Sequence, residues 1–247
     1  MPEKAFRVVL QHIEAAVLDG RLTIGSTLPA ERELAASLGV SRAAVREAIR
    51  ALEAQGVLST SVGAGAAGGT KVTPSQSAAL TRMLRLHVAL ADFPVHEVVD
   101  LRVVLERLSV TLAVACITGA ELAQLGDVLD AMEEPAISIE DFNELDTRFH
   151  VLVAEAARNR LVTDLTVAVR ESLRLPILDA SREMVDYPGF RGELLEHHRE
   201  IYDAMVGRDS ALAADLLESH IRRAYEILPT MRISRTVSPD GPTTESR

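Results

Sequence analysis

The sequence predicts a mostly α-helical protein, with an N-terminal winged helix-turn-helix followed by a C-terminal all-helical bundle. Three observations predict it. Apolar residues recur at helical spacing through most of the stretch from Ser77 to Leu228. Aromatic residues make up only 3% of the 247-residue chain and Trp is absent, so the core must be built from Leu, Val, Ile and Ala, which suits packed helices. One Gly/Ala-rich stretch, Gly63-Ala64-Gly65-Ala66-Ala67-Gly68-Gly69-Thr70, separates two short runs of strand-like composition near residue 60 and residue 72.

The expected division is a winged helix-turn-helix domain over residues 1–74, a helical domain over 75–228 and a disordered tail over 229–247, where Pro, Ser, Thr and Gly replace the apolar pattern. The net charge of −10 argues against bulk attraction to nucleic acid, but it is unevenly spread. Residues 1–73 carry 8 Lys and Arg against 7 Asp and Glu, a net of +1, so the remainder carries −11. Any contact with DNA therefore rests on placed arginines. No signal-peptide pattern opens the chain, and no apolar stretch reaches the roughly 18 residues of a membrane span, so no membrane partner and a cytoplasmic location are expected. Cys116, the single cysteine, falls in the apolar run Leu112–Ile117 and is expected to be a buried structural thiol.

In the N-terminal module, Phe6, Val9, Leu10, Ile13, Ala16 and Val17 share one face of a helix over about residues 5–20. A short helix carrying Leu34, Ala35 and Leu38 follows and stops at Gly39. Ser41 has the character of an N-cap for the next helix, whose buried face is Val45, Ala48, Ile49 and Leu52. Arg42, Arg46 and Arg50, spaced by four, form a stripe on another face. Such a stripe alone is more often a solvated surface. Its place in the order helix, short helix, glycine, capped helix, strand, glycine loop, strand makes it the reading face of a helix-turn-helix, whose second helix enters the DNA major groove.

Leu28-Pro29-Ala30-Glu31-Arg32-Glu33-Leu34-Ala35, Gly39-Val40-Ser41-Arg42, Val45-Arg46-Glu47-Ala48-Ile49, Leu52 and Gly56-Val57 resemble the winged helix of the GntR family of bacterial regulators. The resemblance implies that Arg32, Arg42 and Arg46 contact DNA, with Ser41 near the backbone and the wing glycines around Gly65 in the minor groove. Two features depart from the family pattern. Ala30 stands where Ser most often caps the helix, a loss that typically costs about 0.5–2 kcal/mol. The wing is longer and richer in Ala and Gly than usual, with no base before Lys71.

The C-terminal region predicts helices near 77–91, 95–116, 119–133, 139–157, 160–184, 190–206 and 210–228, with Pro176 inside one of them. Asp146 and His150 lie at i, i+4 on a face shared with Phe142, Phe149 and Val153. His198 falls in the stripe of Leu194, Leu195, Ile201, Tyr202 and Met205, and His220 in that of Ala213, Leu216, Leu217 and Ala224; His197 falls on the wetter side, with Glu193 and Glu200. Three histidines and an aspartate thus point inward from three helices. They are costly to bury unpaired. A hydrogen-bonded core set and a divalent-metal site are equally open on pattern alone, with zinc or nickel the metals expected of imidazole ligands. Arg102 also points inward, either as an i, i+4 partner of Glu106 or as a guanidinium for an effector carboxylate.

Asp146-Thr147-Arg148-Phe149-His150, Asn159, His198-Arg199-Glu200-Ile201-Tyr202-Asp203-Ala204 and His220-Ile221 resemble the FCD domain, the ligand-binding half of FadR-type GntR regulators. The resemblance covers roughly residues 5–228. It implies a metal held by Asp146, His150, His198 and His220, and it matches Arg102 to an arginine of the first long FCD helix. The expectation is a homodimeric regulator, most simply a repressor, that reads double-stranded operator DNA at two half-sites. A small carboxylate held by the metal and Arg102 would change its operator affinity. A metal-dependent hydrolase is the competing class, since three histidines and a carboxylate can activate water. Against it, no general base is placed beside the set. A regulator with a purely structural metal is the third reading.

Overall fold

A computed structural model describes residues 2–61, 69–73, 77–90 and 93–228. The wing tip with Gly65 and the tail from Pro229, expected to be disordered, lie outside the described residues. The chain divides into two compact units, Met1–Met83 and Leu84–Arg247.

The first unit contains α1 (Pro2–Leu18), α2 (Glu31–Leu38), α3 (Arg42–Ala54) and two strands, β1 (Leu58–Ser61) and β2 (Gly69–Val72). Its core is the apolar set read from the sequence: Val9 and Ile13 of α1, Leu34 of α2, and Val45, Ile49 and Leu52 of α3, closed by Leu28, Leu58 and Val72. Gly39 ends α2 in the left-handed region, φ 63°, where its N–H reaches the Ala35 and Ala36 carbonyls. Two residues on, the Ser41 hydroxyl accepts from the Ala44 N–H at 3.2 Å and starts α3. The tight turn between α2 and α3 is thus written by one glycine and one serine. β1 and β2 pair antiparallel, Leu58 opposite Val72 and Ser61 opposite Gly69, and Thr27 bridges to Lys71. Ala30 leads α2 without a side-chain cap.

Helix α4 (Ser77–Ala89) spans the division between the units. The second unit continues with α5 (Val95–Cys116), α6 (Gly119–Glu133), α7 (Ile139–Ala156), α8 (Arg160–Arg182), α9 (Tyr187–Val206) and α10 (Ser210–Ile227). α5 packs on α7, α8 and α10, and α6 lies against α7 and α9. Side-chain caps begin most of these helices: Thr118 for α6, Ser138 for α7, Asn159 for α8, Asp186 for α9 and Asp209 for α10. α8 runs through Pro176 without ending there.

Helix α1 starts at Pro2 and ends at Leu18, earlier at both ends than the sequence suggests, and two further details differ from the sequence-based expectations. α9 begins at Tyr187, not near 190, because Asp186 caps it and Pro188 falls in the first turn. Proline there removes only an N–H that would have no intrahelical partner. Cys116 is exposed, not buried: it is the last residue of α5, and its thiol reaches the Leu112 and Ala156 carbonyls at 3.2 Å from the rim.

Candidate DNA-reading face and buried metal-ligating group

In the first unit the burial of Ala44, Val45, Ala48, Ile49 and Leu52 fixes the rotation of α3, leaving Arg42, Arg46 and Arg50 exposed along its length. Arg42 is the first residue of the helix, immediately after the capping Ser41. Arg32 is exposed on α2. Arg46 reaches across to Glu31 of α2, 3.2 Å from Nη2 to Oε2, in a pair whose arginine side chain is half exposed. Such a pair contributes little to stability, about 0–1 kcal/mol, so phosphate or a base edge can take its place. Glu31 was not read as a partner in the sequence; it lies fifteen residues from Arg46, beyond any helical spacing rule.

In the second unit Asp146, His150, His198 and His220 come together as the sequence anticipates. Each can offer one ligand atom, and these atoms all lie within 4.8 Å of one another. The four residues are between 0 and 6% exposed. Asp146 and His150 are one turn apart on α7, His198 comes from α9 and His220 from α10. The Nε2 atoms of His150 and His198 are 3.4 Å apart, and Asp146 Oδ1 stands 3.8 Å from the first and 3.2 Å from the second. Phe149 sets its ring against His198 at a near-perpendicular angle, with centroids 4.8 Å apart. His197, expected on the wetter side, is half-buried, with its ring edge-on to that of His220.

Behind this group lies a charge network, only part of which is visible in helical spacing. His150 Nδ1 contacts Glu106 Oε2, and Glu106 Oε1 accepts from Arg102 Nε at 2.6 Å. Arg102 Nη1 donates to the Tyr225 hydroxyl at 3.2 Å. Arg102 therefore has the helical partner anticipated for it, and that partner also orients a histidine. Arg170 of α8 contacts Asp146 Oδ2, while its Nε has no hydrogen-bond partner among the described residues. The sequence signal for Arg170 was present: it sits in a helix between the buried residues Thr166, Val169 and Leu173.

Electrostatics sets the protonation of the group. Burial opposes ionisation of Glu106, but Arg102, His150 and Arg170 outweigh it and hold the carboxyl well below its ordinary range. Burial lowers the His150 imidazole, with Glu106 opposing, and pushes His198 and His220 far below the ordinary histidine value, assisted by neighbouring positive groups. Burial, then Arg102, brings Arg170 down to about 9, so it stays charged at neutral pH. A neutral His150 that donates from Nδ1 to Glu106 carries its lone pair on Nε2, facing His198 and Asp146. Lone pairs converging in a water-poor core fit a cation, and three imidazoles with a carboxylate are the ligands of a borderline divalent metal.

The family model "FCD domain" matches residues 97–223, and the model "Bacterial regulatory proteins, gntR family" matches residues 6–67. The chain belongs to the GntR family of transcription regulators, in its FCD-containing group. It is 25% identical over 225 residues to the Glc operon transcriptional activator of Escherichia coli (strain K12), covering 87% of this chain and 85% of the relative. It is 28% identical over 214 residues to the HTH-type transcriptional regulator LutR of Bacillus subtilis (strain 168), covering 86% of this chain and 95% of that one. Among solved structures, a Streptococcus agalactiae GntR protein aligns with a TM-score of 0.57 at 25% identity, over 90% of this chain and 97% of that chain. These relatives are regulators of transcription and not enzymes, so the hydrolase reading falls away. No helix among the described residues is long and apolar enough to cross a membrane.

Proposed function

We propose that the chain is an effector-controlled repressor that binds operator DNA as a homodimer through residues 1–74 and senses a small organic acid through residues 75–228, with 229–247 a tail outside both. Arg32, Arg42 and Arg46 contact phosphate or guanine edges, Ser41 sits against the DNA backbone, and the wing around Gly65 approaches the minor groove. Two half-sites about one helical turn apart match two copies of the head.

In the sensor, Asp146, His150, His198 and His220 would hold a divalent ion, zinc or nickel. When bound, the ion supplies open positions for carboxylate oxygens. The observation that carries this reading is the convergence of four buried donors with His150 already oriented by Glu106. Charge supports the acid. Arg102 and Arg170 balance Glu106 and Asp146, and the histidines are neutral, so a divalent ion leaves the core with an excess of positive charge that an anion offsets. Arg102, already tied to Glu106 and Tyr225, supplies that field and orients ligands; Arg170 has the free Nε donor. The acid acts on DNA affinity only to the extent that it prefers one arrangement of the sensor and DNA prefers another.

The test is metal content by mass spectrometry of the full chain, native and His150→Ala/His198→Ala, followed by thermal shift with carboxylic acids and gel shift on operator DNA. About one equivalent of metal, lost in the double variant, supports the site. An acid that raises the melting temperature and weakens operator binding supports sensing and repression. Metal that stabilises with no response to any acid makes the ion structural.

A further inference from the structure

Helix α5 carries apolar residues on both its inner and its outer side. The inner side is filled: Val99, Val103 and Val110 are buried in the core, and Arg102 and Glu106 are paired beside them. That fixes the rotation of the helix and turns Leu101, Val104 and Leu108 outward, at 47, 63 and 43% exposure. Spaced by three and four, they form one stripe along the helix. The neighbouring α8, whose Thr166 hydroxyl meets that of Ser109 at 3.2 Å, adds exposed Leu161 and half-buried Leu165. A helix that is apolar all round belongs in an interior, and a run of exposed large apolar side chains marks a surface that another body covers.

We propose that a second copy of the chain covers this stripe: α5 of one copy lies antiparallel on α5 of the other, across a two-fold axis near Val104, with Leu101 of each against Leu108 of its partner. This rests on the reading that the chain is a homodimer, and it assigns the surface that joins the copies. A two-fold contact uses one patch twice, so the patch must complement itself. This one is apolar at its centre and opposite in charge at its ends. Exposed Glu97 and Asp100 stand at the N-terminal end of α5, Asp100 shared with Arg222. At the C-terminal end exposed Arg208 donates to the Val114 and Ile117 carbonyls at 2.7 and 2.9 Å. Antiparallel pairing brings each acidic end to the basic end of the other copy and opposes the two helix dipoles, whereas parallel pairing sets like charges together. The 22 residues of α5 span about 33 Å. Side by side, α5 and α8 present a face on the order of 33 by 20 Å, the scale of the roughly 800 Å² per partner that a stable dimer buries.

The experiment is sedimentation velocity of the full chain, native and substituted at Val104, with cysteine cross-linking to fix the register. The native chain is expected to sediment as a dimer. Val104→Glu, which sets two carboxylates face to face near the axis, should weaken the dimer about a hundredfold or more. Val104→Ser, which removes apolar contact and adds no charge, should weaken it about tenfold and carries the test if the glutamate variant does not fold. Both should keep the native helical circular dichroism, since Val104 is exposed within its own subunit. In a Cys116→Ser background, Val104→Cys should be captured as a disulfide-linked dimer on mild oxidation. Chains carrying Leu101→Cys should link to chains carrying Leu108→Cys and not to themselves; self-linking of both overturns the antiparallel pairing. Folded Val104 variants that dimerise as the native chain does overturn the inference and leave a homodimer joined elsewhere. If the native chain is monomeric both alone and on operator DNA, the homodimer reading itself fails and this inference with it.

Discussion

In the N-terminal unit Arg32, Arg42 and Arg46 stand in solvent, and the ion pair of Arg46 with Glu31 is loose and open to exchange. In the C-terminal unit Arg102 and Arg170 lie at 3% and 2% exposure, locked to Glu106 and Asp146. The same side chain serves opposite ends. A guanidinium kept in water costs little to hold and is free to meet phosphate, whereas one buried with a carboxylate is committed to a fixed geometry and leaves a strong local field. Helix α3 can keep its arginines exposed because a complete apolar face, Ala44 to Leu52, already anchors it. Helix α5 instead carries Arg102 and Glu106 on its buried face, so its packing and its chemistry depend on one another.

The sharpest way to break this contrast is Glu106→Gln. It keeps the side-chain volume but leaves Arg102 short of its partner and frees His150 from the group that orients it. Breaking one side of a buried pair costs about 3–5 kcal/mol, and losing a partner behind a metal-ligating histidine costs about 10–100-fold in metal affinity. Urea denaturation and metal titration should show both. The matched change in the head, Glu31→Gln, should move stability by no more than about 1 kcal/mol.

Arg42→Ala tests the other side of the comparison. Removing a solvent-facing arginine should leave the denaturation midpoint within about 0.5 kcal/mol of native. Operator affinity should fall by about 1–3 kcal/mol if the side chain pairs with a guanine. Gel-shift titration at two salt concentrations separates the roles, because loss of a phosphate contact also reduces the salt dependence. Unchanged affinity at both salts would remove Arg42 from the reading face.

The difference between the units also explains what was legible in the sequence. The head was readable nearly residue by residue, since its elements are bounded by local signals: Gly39 in the left-handed region, Ser41 as a cap, and an apolar face at helical spacing. The four inward residues of the sensor were readable for the same reason, as each lies on an apolar stripe of its own helix. What ties them together was not. The contact of Glu106 with His150 joins α5 to α7, and that of Arg170 with Asp146 joins α8 to α7. Spacing along one helix cannot show which carboxylate meets which histidine across a bundle. For Cys116, an apolar run says nothing of where its helix ends, and the end of α5 lifts the thiol to the rim.

Two helix starts extend the comparison to smaller energies. α2 begins at Ala30, whose φ of −57° and ψ of 145° already suit a capping residue, yet no side chain caps it. Ala30→Ser should stabilise the head by about 0.5–1 kcal/mol, read from the urea midpoint, and a smaller gain would mean that water already serves the free N–H groups.

α6 has what α2 lacks. Thr118 Oγ1 accepts from the Glu121 N–H at 3.2 Å, Glu121 Oε2 accepts from the Thr118 N–H at 2.9 Å, and Arg158 holds the other carboxylate oxygen at 2.7 Å. The Thr118 backbone, its hydroxyl and Arg158 together lower the Glu121 carboxyl below its ordinary value of 4.5. The folded state thus binds its proton less readily than the unfolded state does. The stabilisation is fully present above the unfolded value and is lost as pH falls through the folded one. Glu121→Gln can still cap, so at neutral pH the two proteins should have similar denaturation midpoints. Below pH 4.5 the native chain should lose stability slightly faster than the variant. The effect is small because Glu121 is only half-buried and water screens its charge. Parallel acid profiles for the two proteins would mean that the neutral hydrogen bonds alone hold this helix start, and that the ionised carboxylate adds nothing to them.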